Sequence, residues 1–194
     1  MQRPIRHLTI KLVQVRMEEL HMFRQCTKLL VLSVFLLNLA ACGKSVDSQM
    51  SQGFSDAKTI FNSKPKDSTV SSEHLKFYLP NGYKVKTSSD ETNIILSKGK
   101  GTYSLFINPN ESQDSQRFYN AMHKSLKDDI IKEQTYKKNG RFGFASVLKK
   151  DNENYEVIAS TGGVKVTGVA NDDDISKTIP ELMTIALSVQ LKNK

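Results

Sequence analysis

The sequence is poor in the residues that carry most catalytic and metal chemistry. Its 194 residues include two cysteines, four histidines and no tryptophan. His74 and His123 fall in different predicted elements, and neither belongs to a zinc-binding spacing such as His-Glu-x-x-His. The chain also lacks the Gly-x-Ser-x-Gly pattern that presents a nucleophilic serine. We therefore predict that the protein is not an enzyme and has no catalytic residue, metal site or cofactor.

An apolar run at residues 29–37 ends in the tetrapeptide Leu39-Ala40-Ala41-Cys42, and Arg24 and Lys28 precede it. The segment 29–42 is shorter than the roughly twenty residues that a membrane-spanning helix needs. The tetrapeptide resembles the lipobox of bacterial lipoproteins, in which a signal peptidase cuts before a cysteine that carries diacylglycerol. This resemblance implies that Leu39, Ala40 and Ala41 are recognised by the peptidase and that Cys42 is the lipidated residue.

The same resemblance implies that residues 1–41 are a signal peptide. Residues 1–21 are either an over-long gene start, with Met22 as a later start, or a long n-region, and they do not bear on the fold. An ordinary secreted protein is the alternative, but a cysteine directly after Ala41 favours lipidation. The mature protein would then be a lipid-anchored protein on the extracytoplasmic face of the cell membrane. It would keep Cys42 alone, which excludes an intramolecular disulfide.

The charge of the mature chain is modest. The whole sequence has a net charge of +8, but residues 1–41 hold six of its 28 basic and two of its 20 acidic residues, which leaves +4. Nucleic-acid-binding proteins concentrate basic and aromatic residues on one face, and the sequence has no such cluster. We therefore predict no nucleic-acid partner. The surplus lysines favour a domain close to an anionic membrane or cell-wall polymer.

A change of composition near residue 73 predicts a domain boundary. Residues 42–73 are rich in Ser, Asp, Lys, Gln and Asn, and such a segment buries too little apolar surface to offset the entropy of ordering. We predict that they form the lipidated cysteine and a flexible linker, within which 54–61 has the spacing of a short helical turn. Residues 74–194 are predicted to form one globular domain.

Within that domain the hydrophobic period alternates between two and 3.6 residues. Alternation predicts strands at 75–79, 83–85, 93–97, 102–108, 134–137, 141–150, 155–160 and 164–170. The helical period predicts helices at 115–132 and 178–188. The apolar stripe of the first helix is Phe118, Ala121, Met122, Leu126 and Ile130. The stripe of the second helix is Ile179, Leu182, Met183 and Ala186. Asp114 or Ser115 would cap the first helix, and Thr178 and Glu181 would form a capping box in the second. Asn139-Gly140 predicts a two-residue hairpin turn. The pattern indicates the α+β class: an antiparallel β-sheet flanked by two main helices.

Two short segments of the predicted domain resemble the PsbP-like domain, which photosystem extrinsic subunits share with DcrB-type bacterial lipoproteins. They are residues 77–83, Phe-Tyr-Leu-Pro-Asn-Gly-Tyr, and the closing segment 185–189, Ile-Ala-Leu-Ser-Val. The resemblance extends over residues 74–191, although Tyr83 stands where tryptophan is commoner and no metal site of the photosynthetic members is matched. It implies an antiparallel sheet between helices and a role in assembly or binding.

Two charged motifs have competing interpretations. Asp172-Asp173-Asp174 could suggest a calcium-binding site. An EF-hand loop beginning at Asp172 would, however, need glycine where Lys177 stands and glutamate where Met183 stands. A polar loop that favours the start of the next helix explains the triplet better. The segment 98–102, Lys-Gly-Lys-Gly-Thr, has some likeness to a phosphate loop but lacks the upstream glycine and a following helix, so we predict a hairpin turn.

These observations favour one function and keep a second open. The first is a membrane-anchored lipoprotein that acts as a binding or assembly-accessory module of the cell envelope, with an envelope protein as its partner. The second is a lipoprotein that binds a small ligand or solute. An enzyme ranks last because no nucleophile, base and orienting group occur in a recognisable spacing.

Overall fold

The computed structural model describes residues 45–90 and 92–192. The predicted signal peptide, including the predicted lipobox, and the predicted lipidation residue Cys42 lie outside the described residues. The fold is α+β, as the sequence pattern predicts, and the described residues contain three α-helices where the pattern predicts two main ones. No helix in the described residues is long and apolar enough to cross a membrane.

A seven-stranded antiparallel sheet is the centre of the fold. Its strands are β3 (Tyr83–Asp90), β4 (Asn93–Lys98), β5 (Gly101–Ile107), β6 (Ile130–Lys138), β7 (Arg141–Lys149), β8 (Asn154–Thr161) and β9 (Val164–Asn171). They lie in the order β3-β4-β5-β9-β8-β7-β6. A small sheet of order β1-β2-β10 contains β1 (Val70–Ser71), β2 (Leu75–Phe77) and β10 (Gln190–Leu191). Each predicted strand therefore falls within or next to an observed one.

The turn between β6 and β7 confirms the strongest local prediction. Asn139 has a φ of 49° and Gly140 a φ of 73°, as a two-residue type I′ turn requires. The turn sets a register in which Lys138 lies opposite Arg141 and Thr135 opposite Phe144. Because strand side chains alternate between faces, this register decides which residues of β7 face each layer of helices.

Helices α1 (Val46–Phe61) and α3 (Ile175–Ser188) cover one face of the sheet. Nearly all of the inner face of α3 is buried, and the buried set includes the four residues of its predicted stripe, Ile179, Leu182, Met183 and Ala186. The two helices approach closely at Gly53, where an added Cβ would lie 2.8 Å from Cδ1 of Ile179. These two helices and the sheet enclose the larger hydrophobic core.

Helix α1 corrects the prediction that 42–73 is a flexible linker. Met50, Phe54, Ala57 and Phe61 are buried, and they recur at the three- and four-residue spacing of one helix face. The compact unit therefore begins at Ser45 and not at residue 74. The polar composition that indicated a linker belongs to the exposed face of this helix. Its apolar stripe has only one residue per turn, and tertiary packing is what stabilises it.

The final helix begins one turn earlier than predicted, which removes the proposed capping box. Thr178 lies inside α3, where its Oγ1 donates to the backbone oxygen of Asp174 at 3.0 Å instead of accepting a bond from a helix N–H. Asp174 is the residue before the helix. Glu181 points to β4, where it pairs with Lys98.

Helix α2 (Arg117–Leu126) covers part of the opposite sheet face and is shorter than predicted. Met122 packs into a second core cluster with Phe142, Phe144, Leu148 and Ile158, while Ala121 of the predicted stripe is exposed. Ile130, the last residue of that stripe, begins β6 instead. No side-chain cap precedes the helix, although Oγ of Ser115 accepts a bond from N–H of Arg117.

Candidate functional site

A cleft of about 830 Å³ lies at one end of the large sheet and is the candidate binding site. Its walls are the β4–β5 turn, the β7–β8 loop, the end of β9 and the first turn of α3. Antiparallel pairing brings these connections together: Lys98 is opposite Gly101, Lys149 is opposite Tyr155, and Asn154 is opposite Asn171. The cleft therefore depends on strand order and not on any contiguous motif.

One wall of the cleft is aromatic. The ring of Tyr103 lies across Gly168 of the neighbouring strand, so closely that an added Cβ there would lie 2.1 Å from Cδ1 of Tyr103. Tyr103 also packs on Tyr83, with ring centroids 5.0 Å apart. Only glycine at position 168 lets the tyrosine ring lie flat against the sheet.

An ion pair lies behind this wall. Nζ of Lys98 donates to both carboxylate oxygens of Glu181, at 2.7 and 2.6 Å, and the hydroxyl of Tyr83 donates to the same carboxylate at 3.0 Å. Burial, and secondarily the charge of Glu181, raises the pKa of Tyr83 far above its ordinary value of 10.0. The tyrosine therefore stays a neutral donor, and the network joins β3, β4 and α3.

The β7–β8 loop forms a second wall and is held by its own aspartate. Oδ1 of Asp151 accepts hydrogen bonds from the backbone N–H of Glu153 and Asn154, at 2.9 and 2.8 Å. The bond from Glu153, followed by that from the Asn154 side chain, lowers the pKa of Asp151. Its carboxylate is thus occupied in fixing the loop, a common use of Asp in turns.

The electrostatic balance of the cleft is slightly positive. Besides Lys98, whose charge Glu181 offsets, its lining contains the exposed side chains Lys100, Lys150 and Lys177 together with Asp151 and Asp174. In the part of the chain that the structure describes, none of these three lysines forms an ion pair. The described lining residues include no histidine or cysteine. The arrangement is suited to binding a polar group.

The residues that sequence reasoning singled out lie in several places. The predicted lipobox residues Leu39, Ala40 and Ala41 and the predicted lipidation residue Cys42 are outside the described residues. His74 lines a separate cavity beside Leu191. Nε2 of His123 lies 2.9 Å from Glu133, which also accepts a bond from the hydroxyl of Tyr119 at 3.3 Å. Neither histidine lines the cleft.

The two charged motifs both border the cleft. The segment 98–102 forms the β4–β5 turn, with Gly99 at a φ of 57°, which confirms the predicted hairpin. Asp174 precedes α3, and its backbone N–H donates to Oδ1 of Asn171 at 3.0 Å. Among the described residues, no group of three or more His, Cys, Asp or Glu side chains is arranged to hold a metal ion.

Sequence reasoning did not associate these two motifs. The lysines of the cleft are separated by up to about eighty positions along the chain, from Lys98 to Lys177. No local pattern connects them, because only the pairing of β5 with β9 brings the turn and the helix together. Comparison with known proteins adds no further guide, since no family model matches the chain and no curated protein is significantly similar to it.

Proposed function

We propose that the protein is a membrane-anchored lipoprotein that acts as a binding or assembly-accessory module on the extracytoplasmic face of the cell membrane. The observation that carries this proposal is the position of the lipobox. Leu39-Ala40-Ala41-Cys42 ends three residues before Ser45, where the compact unit begins. Cleavage before Cys42 would thus leave the folded domain with its anchor at the first residue.

We also propose that the domain is PsbP-like, and the α+β architecture supports this resemblance. The segment 77–83 that carries the resemblance contains the end of β2 and the start of β3, and Gly82 within it has a φ of 86°. The segment 185–189 closes α3 and leads into β10, which pairs with β2. The two segments on which the resemblance rests are therefore neighbours in space, as parts of one structural unit would be.

The cleft favours small-ligand binding as the second candidate function. A volume of about 830 Å³ is within the range of sites that enclose small molecules. Its walls are held by the Glu181 ion pair and by the Asp151 loop, so a ligand would meet a preformed surface. This function is compatible with a lipid anchor, and the two proposals differ in whether the bound partner is a small molecule or an envelope protein.

Mass spectrometry of the mature N-terminus tests the anchor. We expect Cys42 as the first residue, carrying a diacylglyceryl group, and we expect Cys42→Ala to release the protein from the membrane fraction. Buried acyl chains contribute roughly 0.8 kcal/mol per CH₂ group, and two chains suffice for stable anchoring. Cys26→Ala is the matched control and should leave fractionation unchanged. An unmodified Cys42, or a different first residue, would contradict the proposal.

Crosslinking in intact membranes separates the two candidate functions. An assembly or binding module should give a specific crosslinked protein that is recovered with the wild-type chain and lost when Cys42→Ala displaces it. A small-ligand lipoprotein should instead show a higher melting temperature in the presence of one class of compound. Lys177→Ala in the cleft should reduce that increase in melting temperature, while His123→Ala should not.

A further inference from the structure

A second cavity lies at the far end of helix α1, and its charge differs from that of the cleft. It has a volume of about 220 Å³ and lies between the segment that follows α1 and the β6–β7 turn. Three of its lining side chains are cationic, Lys64, Lys138 and Arg141, and none is acidic. We call these three residues the distal basic patch.

The geometry of the patch is fixed by hydrogen bonds and by strand register. Lys138 and Arg141 are opposite each other in the hairpin, so both extend to the same face of the sheet. Nζ of Lys138 donates to the backbone oxygen of Asn62, which holds the end of α1 against the strand. Within the described residues none of the three forms an ion pair. Their positive charge is therefore available to a ligand.

An acidic residue close to Arg141 is already engaged by other groups. Glu111 shares a smaller neighbouring cavity with Arg141. Its carboxylate pairs with Arg117 at 3.4 Å and accepts a bond from Oγ of Ser115 at 2.5 Å. Glu111 thus offsets charge at Arg117 and leaves the distal basic patch with its positive potential.

The patch lies beside the end of α1, whereas the predicted anchor precedes the start of that helix in the sequence. Two residues lie between Cys42 and Ser45, so an extended chain would span at most about 11 Å from one to the other. Helix α1 then runs for 16 residues, about 24 Å, before it ends beside the patch. A lipid on Cys42 would therefore hold the start of α1 close to the headgroups, and the distal basic patch would lie at the opposite end of that helix.

The end of the sheet next to the start of α1 has an acidic surplus in its connections. The connections at the anchored end, 99–100, 127–129, 150–153 and 172–174, contain three basic and seven acidic residues. An anionic lipid surface would repel these connections over a distance of about 8–10 Å. Attraction to the anchoring membrane is therefore a poor explanation of the cationic cavity, and a polyanion beyond the membrane surface is a better one.

We propose that the distal basic patch binds an anionic polymer of the cell envelope that carries phosphate groups, so that the protein connects the membrane with that polymer. The bridging role rests on the proposed lipid anchor, whereas binding by the patch does not. Lysine and arginine side chains around a small concave site are well suited to successive phosphate groups, because guanidinium and ammonium donors form short charge-assisted hydrogen bonds with phosphate oxygens.

Two triple variants with equal charge change test the proposal in the full mature protein, purified in non-ionic detergent. The first replaces Lys64, Lys138 and Arg141 with glutamine, and the second replaces the cleft residues Lys100, Lys150 and Lys177 with glutamine. The probe is inorganic polyphosphate, with affinity measured by fluorescence anisotropy at two salt concentrations. We expect the patch variant to lose binding at least tenfold, a change of about 1.4 kcal/mol, and the cleft variant to bind nearly as the parent does.

Three outcomes would overturn the proposal. Equal loss in both variants would indicate non-specific attraction, and loss in the cleft variant alone would move the site to the cleft. Binding to vesicles that contain phosphatidylglycerol, without binding to polyphosphate, would make the partner a membrane. The single variant Lys64→Gln lies on an exposed loop and should weaken binding several-fold even if the triple variant folds poorly. Mass spectrometry of Cys42 shows separately whether the proposed lipid anchor is present, so a failure of the anchor can be told apart from a failure of the patch to bind.

Discussion

The substitution Phe61→Ala tests whether helix α1 is part of the folded domain. Phe61 is 1% exposed, and its ring lies 5.4 Å from that of Tyr136, centroid to centroid. The same ring covers Gly143, where an added Cβ would lie 2.5 Å from Cε2 of Phe61. Removing the ring would leave a cavity against the backbone of β7, which cannot move inward because β7 is bonded on both sides to β6 and β8.

The expected cost follows from that rigid environment. Phe→Ala substitutions in cores cost about 3–5 kcal/mol, and rigid surroundings place the cost at the upper end of the range. Single domains are stable by only about 5–15 kcal/mol in total. With a urea dependence of about 2 kcal/mol per molar, a loss of 4 kcal/mol would lower the unfolding midpoint by about 2 M.

Equilibrium urea unfolding of the chain from Gly43 onward, followed by circular dichroism, measures this midpoint. Thr59→Ala is the matched control in the same helix, since Thr59 is exposed, and its substitution should change stability by less than about 0.5 kcal/mol. If Phe61→Ala and Thr59→Ala gave the same midpoint as the parent, α1 would not pack on the sheet and residues 45–61 would behave as a linker.

Three further predictions follow from the same structure. A chain of residues 74–194 should lack cooperative unfolding by circular dichroism, because it loses α1 and uncovers Ile179; a sharp transition would contradict this. Gly140→Val should cost about 1–3 kcal/mol in urea unfolding, because valine is strained at a φ of 73°, whereas exposed Ser125→Ala should cost less than about 0.5 kcal/mol. Burial raises the pKa of Tyr83, so the folded state keeps a proton that the unfolded state releases near pH 10. Stability should then be complete below about pH 10 and fall as pH rises above it. Tyr83→Phe should make that fall shallower, and an unchanged slope would show that Tyr83 ionises freely in the folded protein.

The sequence by itself determined the features that depend on neighbours a few residues apart. Asn139-Gly140 specified a two-residue turn because both residues tolerate positive φ. That turn then fixed the register between β6 and β7. The alternation within 102–108 predicted a strand, whose residues Tyr103, Leu105 and Ile107 are buried, and the stripe along α3 identified its inner face. The α+β class followed from these local periods.

Helix boundaries were less well determined, because one apolar residue can satisfy two periods. Ile130 follows Leu126 at helical spacing, yet it begins β6, where it lies opposite Leu148. Thr178 and Glu181 have the spacing of a capping box, yet α3 begins at Ile175. In both cases the local pattern was compatible with two structures, and packing against the sheet selected one of them.

Only the tertiary structure decided that α1 belongs to the domain and where the two cavities lie. The segment 45–61 is mostly polar, and its four buried apolar side chains stabilise a helix only because α3 and the sheet offer a complementary surface. The cleft lysines come from the β4–β5 turn, the β7–β8 loop and the first turn of α3, and the distal basic patch comes from a loop and a hairpin. Such sites depend on which strands pair. Strand order is set by contacts between residues far apart in the chain, and no short stretch of sequence contains that information.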